Sequence, residues 1–125
     1  MRTLLRWALA AFFVGAGVSH FTATDFFVQI VPPWVPAPLA VVWTSGVAEI
    51  VLGLLVLPPA TRRLAGLGLV ALLIAVFPAN LHMAMTNLQL HDPPAWMGQP
   101  TPLQLWLRLP LQLVLIAWAW WATRR

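Results

Sequence analysis

The sequence predicts an all-α fold: an integral membrane four-helix bundle formed by a single domain, residues 1–125. Hydrophobic residues make up 61% of the chain and charged residues only 8%, whereas an ordinary soluble domain is about 25% charged. Four segments stay apolar over about 20 residues, the length at which a helix crosses a bilayer. Arginines lie before the first segment, between the second and third, and after the fourth. This alternation of charge is the kind that orients membrane proteins.

The four predicted spans cover about residues 4–24, 39–57, 64–88 and 103–122. No charged residue falls between Arg63 and Asp92, so the third span is the most secure, whereas Arg108 interrupts the fourth. The short segment 57–63 is expected to make the second and third helices antiparallel neighbours. The segments 25–38 and 89–102 are rich in proline, which removes backbone donors, and they are predicted to form extended outer loops.

The positions of the charges also predict an orientation. Asp25 and Asp92 lie in the outer loops, and six arginines lie at the opposite ends of the spans: Arg2, Arg6, Arg62, Arg63, Arg124 and Arg125. By the positive-inside rule both termini then lie inside, and we expect the protein in a bacterial inner (plasma) membrane. The alternative is a cleaved N-terminal signal peptide, which would leave three spans and put the paired arginines outside.

The same composition excludes several kinds of site. The chain has no cysteine, which rules out disulfides, thiol redox relays, iron–sulfur clusters and thiolate zinc sites. The net charge of +4 comes from scattered arginines, so the lipid bilayer and not a nucleic acid is the predicted partner. The three histidines lack the close spacing of a metal site, and a bis-histidine haem between the first and third helices has no further support.

The two outer loops suggest an internal duplication. When His20 is aligned with His82, Trp34 falls on Trp96, and the prolines of the two loops fall within one position of each other. Each half would be a helical hairpin with an outer Pro-Pro-Trp loop, and the halves would be parallel repeats about an axis along the membrane normal. Convergent loop composition at a membrane interface is the alternative explanation.

Two charged side chains fall inside the predicted spans, where a functional role is the default hypothesis because insertion costs about 2.5–3.5 kcal/mol each. Glu49 lies about 16 Å below the start of its span, close to the midplane, and shares a helix face with Gly46 and Gly53. Glycines allow close helix approach, so Glu49 is predicted to point into the bundle. Arg108 can extend outward to the lipid head groups or pair with Glu49, and the sequence leaves both open.

Polar residues of the first and third spans are predicted to lie in the outer third of the membrane. His20 is near the end of the first span, and Asn80 and His82 follow Pro78 in the third. Asn80 and His82 are about 200° apart around a helix, so they face one spot only if the Pro78 kink redirects one of them. Interhelical hydrogen bonding explains such residues in membrane spans, and a pocket that binds a ligand or carries protons is the alternative.

Four motifs resemble those of the DoxX-like family of small four-helix membrane proteins. They are Gly-Val-Ser-His-Phe at 17–21, Val-Pro-Pro-Trp-Val-Pro at 31–36, Ser-Gly-Val-Ala-Glu-Ile at 45–50 and Phe-Pro-Ala-Asn-Leu-His-Met-Ala at 77–84. The resemblance implies the four-helix topology and an association with quinone-linked oxidation, and its motif positions are His20, Glu49 and Asn80. Some relatives carry cysteines suited to thiol redox, and this chain departs from them because it has none.

Two functions from different classes follow as hypotheses. The first is a binding or accessory protein, not an enzyme by itself, whose outward-facing polar pocket holds a partner helix or a small amphipathic ligand such as a quinone or lipid. Five residues would line that pocket: His20, Glu49, Asn80, His82 and Arg108. The second is a subunit of a quinone-linked oxidoreductase, in which Glu49 or the histidines handle protons and a membrane redox partner supplies electrons. A homo-oligomer is a further partner that the sequence allows.

Overall fold

The protein forms five helices within residues 2–86 and 101–124, the part of the chain that the computed structural model describes. Four of them are long enough and apolar enough to cross a membrane: α1 (Arg2–Thr22), α3 (Pro38–Leu55), α4 (Arg62–Thr86) and α5 (Pro102–Thr123). A short helix, α2 (Thr24–Ile30), follows α1 directly. No strand occurs in the described residues. The all-α prediction is confirmed, and the predicted spans agree with the bounds of the long helices to within two residues.

Helix α2 corrects the predicted extended loop at 25–38 and the predicted end of the first span at residue 24. The hydroxyl of Thr24 donates a hydrogen bond to the carbonyl of His20 at 2.8 Å. In a continuous helix a backbone amide would donate to this carbonyl, so the side chain replaces a helical hydrogen bond where α1 ends. The chain then turns into α2 and buries Phe26, which is 8% exposed. Residues 31–37 contain no helix, as their prolines predict. Residues 89–100 of the second predicted loop lie outside the described residues.

Prolines and side-chain caps determine where two of the long helices begin. Pro38 and Pro102 stand in the first turn of α3 and α5, where the missing amide proton breaks no helical hydrogen bond. Before α5, the Thr101 hydroxyl accepts from the Gln104 amide at 3.2 Å, and the Gln104 side chain accepts from the Thr101 amide at 2.9 Å. Before α3, Ala37 has a left-handed backbone with φ 50°, so the chain enters α3 through a strained turn.

The long helices pack as two close pairs, α1 with α3 and α4 with α5. Small residues make both approaches close. A methyl group on Gly17 would lie 2.6 Å from the carbonyl oxygen of Gly46, and one on Gly66 would overlap the side chain of Thr123. The pairs meet through α3 with α4 and through α1 with α5. Helices α3 and α4 are therefore neighbours, as the short loop predicts, but each packs more closely against another partner.

Buried side chains form two clusters at different levels of the bundle. The larger joins all four long helices near their arginine-rich ends, and it includes Leu9, Phe13, Val56, Ala65, Leu69, Leu73, Ala119 and Ala122. The smaller joins α4 and α5 near the opposite end and consists of Met83, Ala84 and Leu105. Side chains from both helix pairs thus fill the arginine-rich half, whereas the buried side chains of the smaller cluster come from α4 and α5 alone.

Five arginines lie at one end of the bundle and tie its chain segments together: Arg2, Arg6, Arg62, Arg63 and Arg124. Arg6 Nε donates to the carbonyl of Ala122 at 2.8 Å, which joins the start of α1 to the end of α5. Arg63 Nη2 donates to the carbonyl of Arg124 at 2.9 Å, and the Arg124 guanidinium lies 4.0 Å from the centre of the Trp120 ring. The positive charge that predicted an orientation is therefore collected on one side of the molecule.

Candidate functional site

A cavity of about 340 Å³ lies between the two helix pairs, towards the end away from the arginine-rich side. All five helices and the loop at 31–35 contribute to its wall. Most lining side chains are apolar, among them Phe27, Trp34, Val42 and Val76, and five are polar: His20, Ser45, Glu49, Asn80 and Arg108. A concave, mainly apolar space with a few convergent polar groups is typical of sites that bind small molecules.

The cavity brings together four of the five residues that the sequence predicted to line a pocket. His20 comes from α1, Glu49 from α3, Asn80 from α4 and Arg108 from α5. His82 is not among the residues that line this cavity, and its role in a pocket stays a prediction. Asn80 and His82 stand about 200° apart around α4, so the two side chains leave the helix on different faces.

His20 and Glu49 contact each other at the wall formed by α1 and α3. His20 Nδ1 lies 3.5 Å from Glu49 Oε2 and 2.8 Å from the carbonyl oxygen of Ala16. A carbonyl is only an acceptor, so Nδ1 carries the proton that it donates to Ala16. The ring is stacked on Phe27, with centres 4.0 Å apart, which holds its orientation.

The close packing of α1 on α3 explains this contact. Glu49 shares its helix face with Gly46 and Gly53, and the residue is 9% exposed, so it is buried as predicted. A methyl group on Gly46 would lie 2.8 Å from His20 Cβ and 3.1 Å from the carbonyl oxygen of Gly17. Because no side chain separates the two backbones at this level, the imidazole reaches the carboxylate one turn further along α3.

The ion pair between Glu49 and Arg108, which the sequence left open, is not formed. Glu49 contacts His20 instead, and its Oε2 atom has no hydrogen-bond partner among the described residues. Arg108 is half-buried and forms no ion pair with a carboxylate within residues 2–86 and 101–124. A carboxylate and a guanidinium therefore line one cavity from different helices without pairing.

A buried amide that the sequence analysis missed, Gln112, joins α5 to α4. Its side-chain oxygen accepts from Asn80 Nδ2 at 2.5 Å, and its Nε2 donates to the carbonyl of Leu73. Leu73 lies in the helical segment before Pro78, whose ring disturbs the helical hydrogen bonds nearby. Gln112 is 3% exposed and stands four residues after Arg108, so its position on the inward face of α5 was the signal that could have identified it.

The arrangement combines acid–base groups on one wall with a cation on the other. Glu49 and His20 can accept or donate a proton, and Arg108 can bind an anionic or hydrogen-bond-accepting group. Histidines and acidic residues form no group of three that could hold a metal ion within the described parts of the chain. The chemistry available to these side chains is thus hydrogen bonding, charge pairing and proton transfer with a molecule in the cavity.

We expect Asn80 and Gln112 to stabilise the bundle jointly. A double-mutant cycle with Asn80→Ala and Gln112→Leu should give a coupling energy of about 0.6 kcal/mol, with an upper bound of about 1.7 kcal/mol, as for other hydrogen bonds between membrane helices. Gln112→Leu alone should be the more damaging change, because Gln112 also binds Leu73. Unfolding in mixed detergent micelles measures both effects, and strictly additive single effects would contradict the bond.

Comparison with known proteins identifies a family without assigning an activity. No curated protein and no solved structure shows significant similarity to this chain. One family model does match, described as a domain of unknown function (DUF8561), and it covers residues 9–123. The match includes nearly all of the four long helices and every polar residue of the cavity. The chain therefore belongs to the DUF8561 family.

Proposed function

We propose that this protein is a membrane-embedded binding or accessory protein whose cavity holds a small amphipathic ligand, and that it is not an enzyme by itself. The cavity of about 340 Å³, with mainly apolar walls and separate polar groups, is the observation that carries the proposal. An apolar ligand body would contact the walls, and a polar head would meet Glu49, His20 and Arg108. A partner helix is too wide for a space of this volume, which favours the small ligand.

The proposal includes an orientation in a bacterial inner membrane with both termini on the cytoplasmic side. The gathering of the arginines at one end of four apolar helices supports it, because positive residues are enriched on that side. The cavity would then open outward. The pairing of α1 with α3 and of α4 with α5 agrees with two parallel hairpin repeats, although Trp96 of the second repeat lies outside the described residues. The likeness to the DoxX-like family belongs to the same proposal.

The contact between His20 and Glu49 favours one alternative function. A subunit of a quinone-linked oxidoreductase needs groups that take protons from a bound quinol, and a buried imidazole beside a carboxylate is such a pair. His82, outside the cavity, would have no part in it. A separate membrane partner would have to exchange the electrons.

The proposed function is tested by identifying what the protein retains on purification. An organic extract of the purified protein, analysed by mass spectrometry, should contain one amphipathic molecule in stoichiometric amount. Arg108→Gln should release an anionic molecule, because the amide removes the cation from the cavity wall, and Glu49→Gln should release a neutral molecule whose head forms a hydrogen bond with the carboxyl group. Val51→Ala on the same helix, at a residue that is 47% exposed, should retain it and serves as the control.

The result also separates the two functions. A retained quinone that Glu49→Gln releases would favour the oxidoreductase subunit, whereas a retained lipid or fatty acid that Arg108→Gln releases would support the binding protein. Native protein without any stoichiometric small molecule, or equal retention by Arg108→Gln, Glu49→Gln and Val51→Ala, would count against a binding role for this cavity.

A further inference from the structure

A groove on the surface of α3 borders the cavity. It has a volume of about 360 Å³ and is lined by Ala40, Val41, Thr44, Ser45, Ala48 and Leu72. Val41 and Ser45 also line the cavity, so the two spaces share part of their wall. Leu72 belongs to α4, which places the groove along the contact of α3 with α4. The cavity is therefore adjacent to a depression on the face of the bundle that a bilayer would cover.

The shape of the groove suits a narrow apolar chain. Ala40, Thr44 and Ala48 follow one another at intervals of four, so they form one stripe of small side chains along α3. Val47, on a neighbouring face of the same helix, is 52% exposed and does not line the groove. The stripe extends over about 12 Å of helix, from the level of the loop at 31–37 to the level of Glu49.

The charges of the cavity indicate what kind of head group such a chain would carry. Arg108 lines the cavity and forms no ion pair with any carboxylate in the described ranges. A half-buried guanidinium without a carboxylate partner is best compensated by an anion, which it can bind through two parallel hydrogen bonds. Inside a bilayer an apolar tail gains little by leaving the lipid, so this head-group contact has to supply most of the affinity.

We propose that the ligand is a single-chain amphiphile with a carboxylate head, and that it reaches the cavity sideways from the bilayer. The carboxylate binds Arg108 in the cavity, and the alkyl chain lies in the groove between Val41, Ala48 and Leu72. This inference rests on the proposed function, because it assigns a ligand class and an entry route to the same cavity.

The test uses the full chain reconstituted in lipid nanodiscs and two photoreactive probes. The long probe is palmitic acid with a diazirine in mid-chain, and the short probe is hexanoic acid with a diazirine at its end. The long probe should label residues of the groove and cavity, and its methyl ester should not. Arg108→Gln should lower labelling by both acids about tenfold, the effect of losing a charged hydrogen bond.

Two variants fill the groove and one matched variant leaves it open. Ala48→Phe and Thr44→Leu should abolish labelling by the long probe and leave the short probe unchanged, because only the long chain needs the groove. Val47→Phe adds the same bulk as Ala48→Phe on the neighbouring face and should change neither. Size-exclusion profiles and helical circular dichroism show whether each variant is folded. Because two variants fill the groove, the test still works if one of them does not fold.

The outcomes test the entry route, the carboxylate head and the ligand class separately. Labelling of cavity residues that is equal in Ala48→Phe, Thr44→Leu and Val47→Phe would overturn the entry route and leave the cavity as a binding site. Equal labelling by the acid and its methyl ester would overturn the carboxylate head. If neither the acids nor the ester labels the cavity, this ligand class is wrong, and the extract of the purified protein then decides whether the cavity binds anything.

Discussion

Gly17→Ala is expected to destabilise the bundle by roughly 1–3 kcal/mol, the range found when a tightly packed core is over-filled. The added methyl group would lie 2.6 Å from the carbonyl oxygen of Gly46, 2.6 Å from Ile50 Cγ1 and 3.1 Å from the backbone nitrogen of Ile50. Two of these three atoms belong to the backbone of α3, so a side-chain rotation cannot relieve the contact. The helices must move apart, which also separates His20 from Glu49.

Gly15→Ala is the matched control for this prediction. A methyl group there would have no neighbour within 4 Å, so the change should be neutral or should stabilise α1 by up to about 1 kcal/mol through helix propensity. The measurement is the unfolding midpoint of each variant in mixed micelles with increasing denaturing detergent. Equal midpoints for the two variants would show that α1 and α3 do not cross at Gly17 and Gly46.

The long helices could be predicted because their signal is strong and local. Mean hydropathy over a span of fixed length does not depend on which helices are neighbours, and the predicted bounds consequently fall within two residues of the observed ones. The burial of Glu49 was predictable for a related reason. Gly46 and Gly53 on its face indicate the close helix, and the partner they meet is α1, at His20 and Phe13 respectively.

Features that depend on tertiary geometry were not predicted. Helix α2 spans only Thr24–Ile30, which is too short for a periodic pattern, and it forms because Phe26 is buried in the folded bundle. The partner of Glu49 depends on how each helix is rotated about its axis. A rotation of about 100° accompanies every residue, so a sequence that places Arg108 and His20 at similar depths does not decide between them.

In the candidate site, too, the residue types could be predicted from the sequence and their contacts could not. The chemical types of its residues could be recognised from the sequence because ionisable groups are costly inside a span. Gln112 is uncharged and lies between leucines, so neither charge nor hydropathy distinguishes it from the rest of the span. Its two hydrogen bonds nevertheless connect α5 to Asn80 and Leu73. The identity of its two partners depends on how α4 and α5 are paired.

Glu49→Lys should reduce the yield of folded protein strongly, whereas Glu49→Leu and Glu49→Gln should not. Glu49 is 9% exposed and lines a cavity that also contains Arg108. Lysine would put a second cation into that space, and an uncompensated charge at this depth costs about 2.5–3.5 kcal/mol on insertion scales. In this variant His20 would contact an ammonium group where it now contacts a carboxyl group. The ammonium group repels the imidazole whenever the imidazole is protonated.

Leucine and glutamine remove the negative charge without adding a positive one. In both variants the imidazole of His20 keeps its hydrogen bond to Ala16 and its stacking on Phe27, so the packing of α1 on α3 should survive. Leucine also removes the Oε2 atom, which has no hydrogen-bond partner among the described residues, and replacing a buried polar group by an apolar one of similar size is often neutral. Fluorescence-detected size exclusion measures the folded fraction of each variant at equal expression. A folded fraction for Glu49→Lys equal to that for Glu49→Leu would mean that the side chain at position 49 faces lipid head groups or water, and the cavity would then lose its carboxylate.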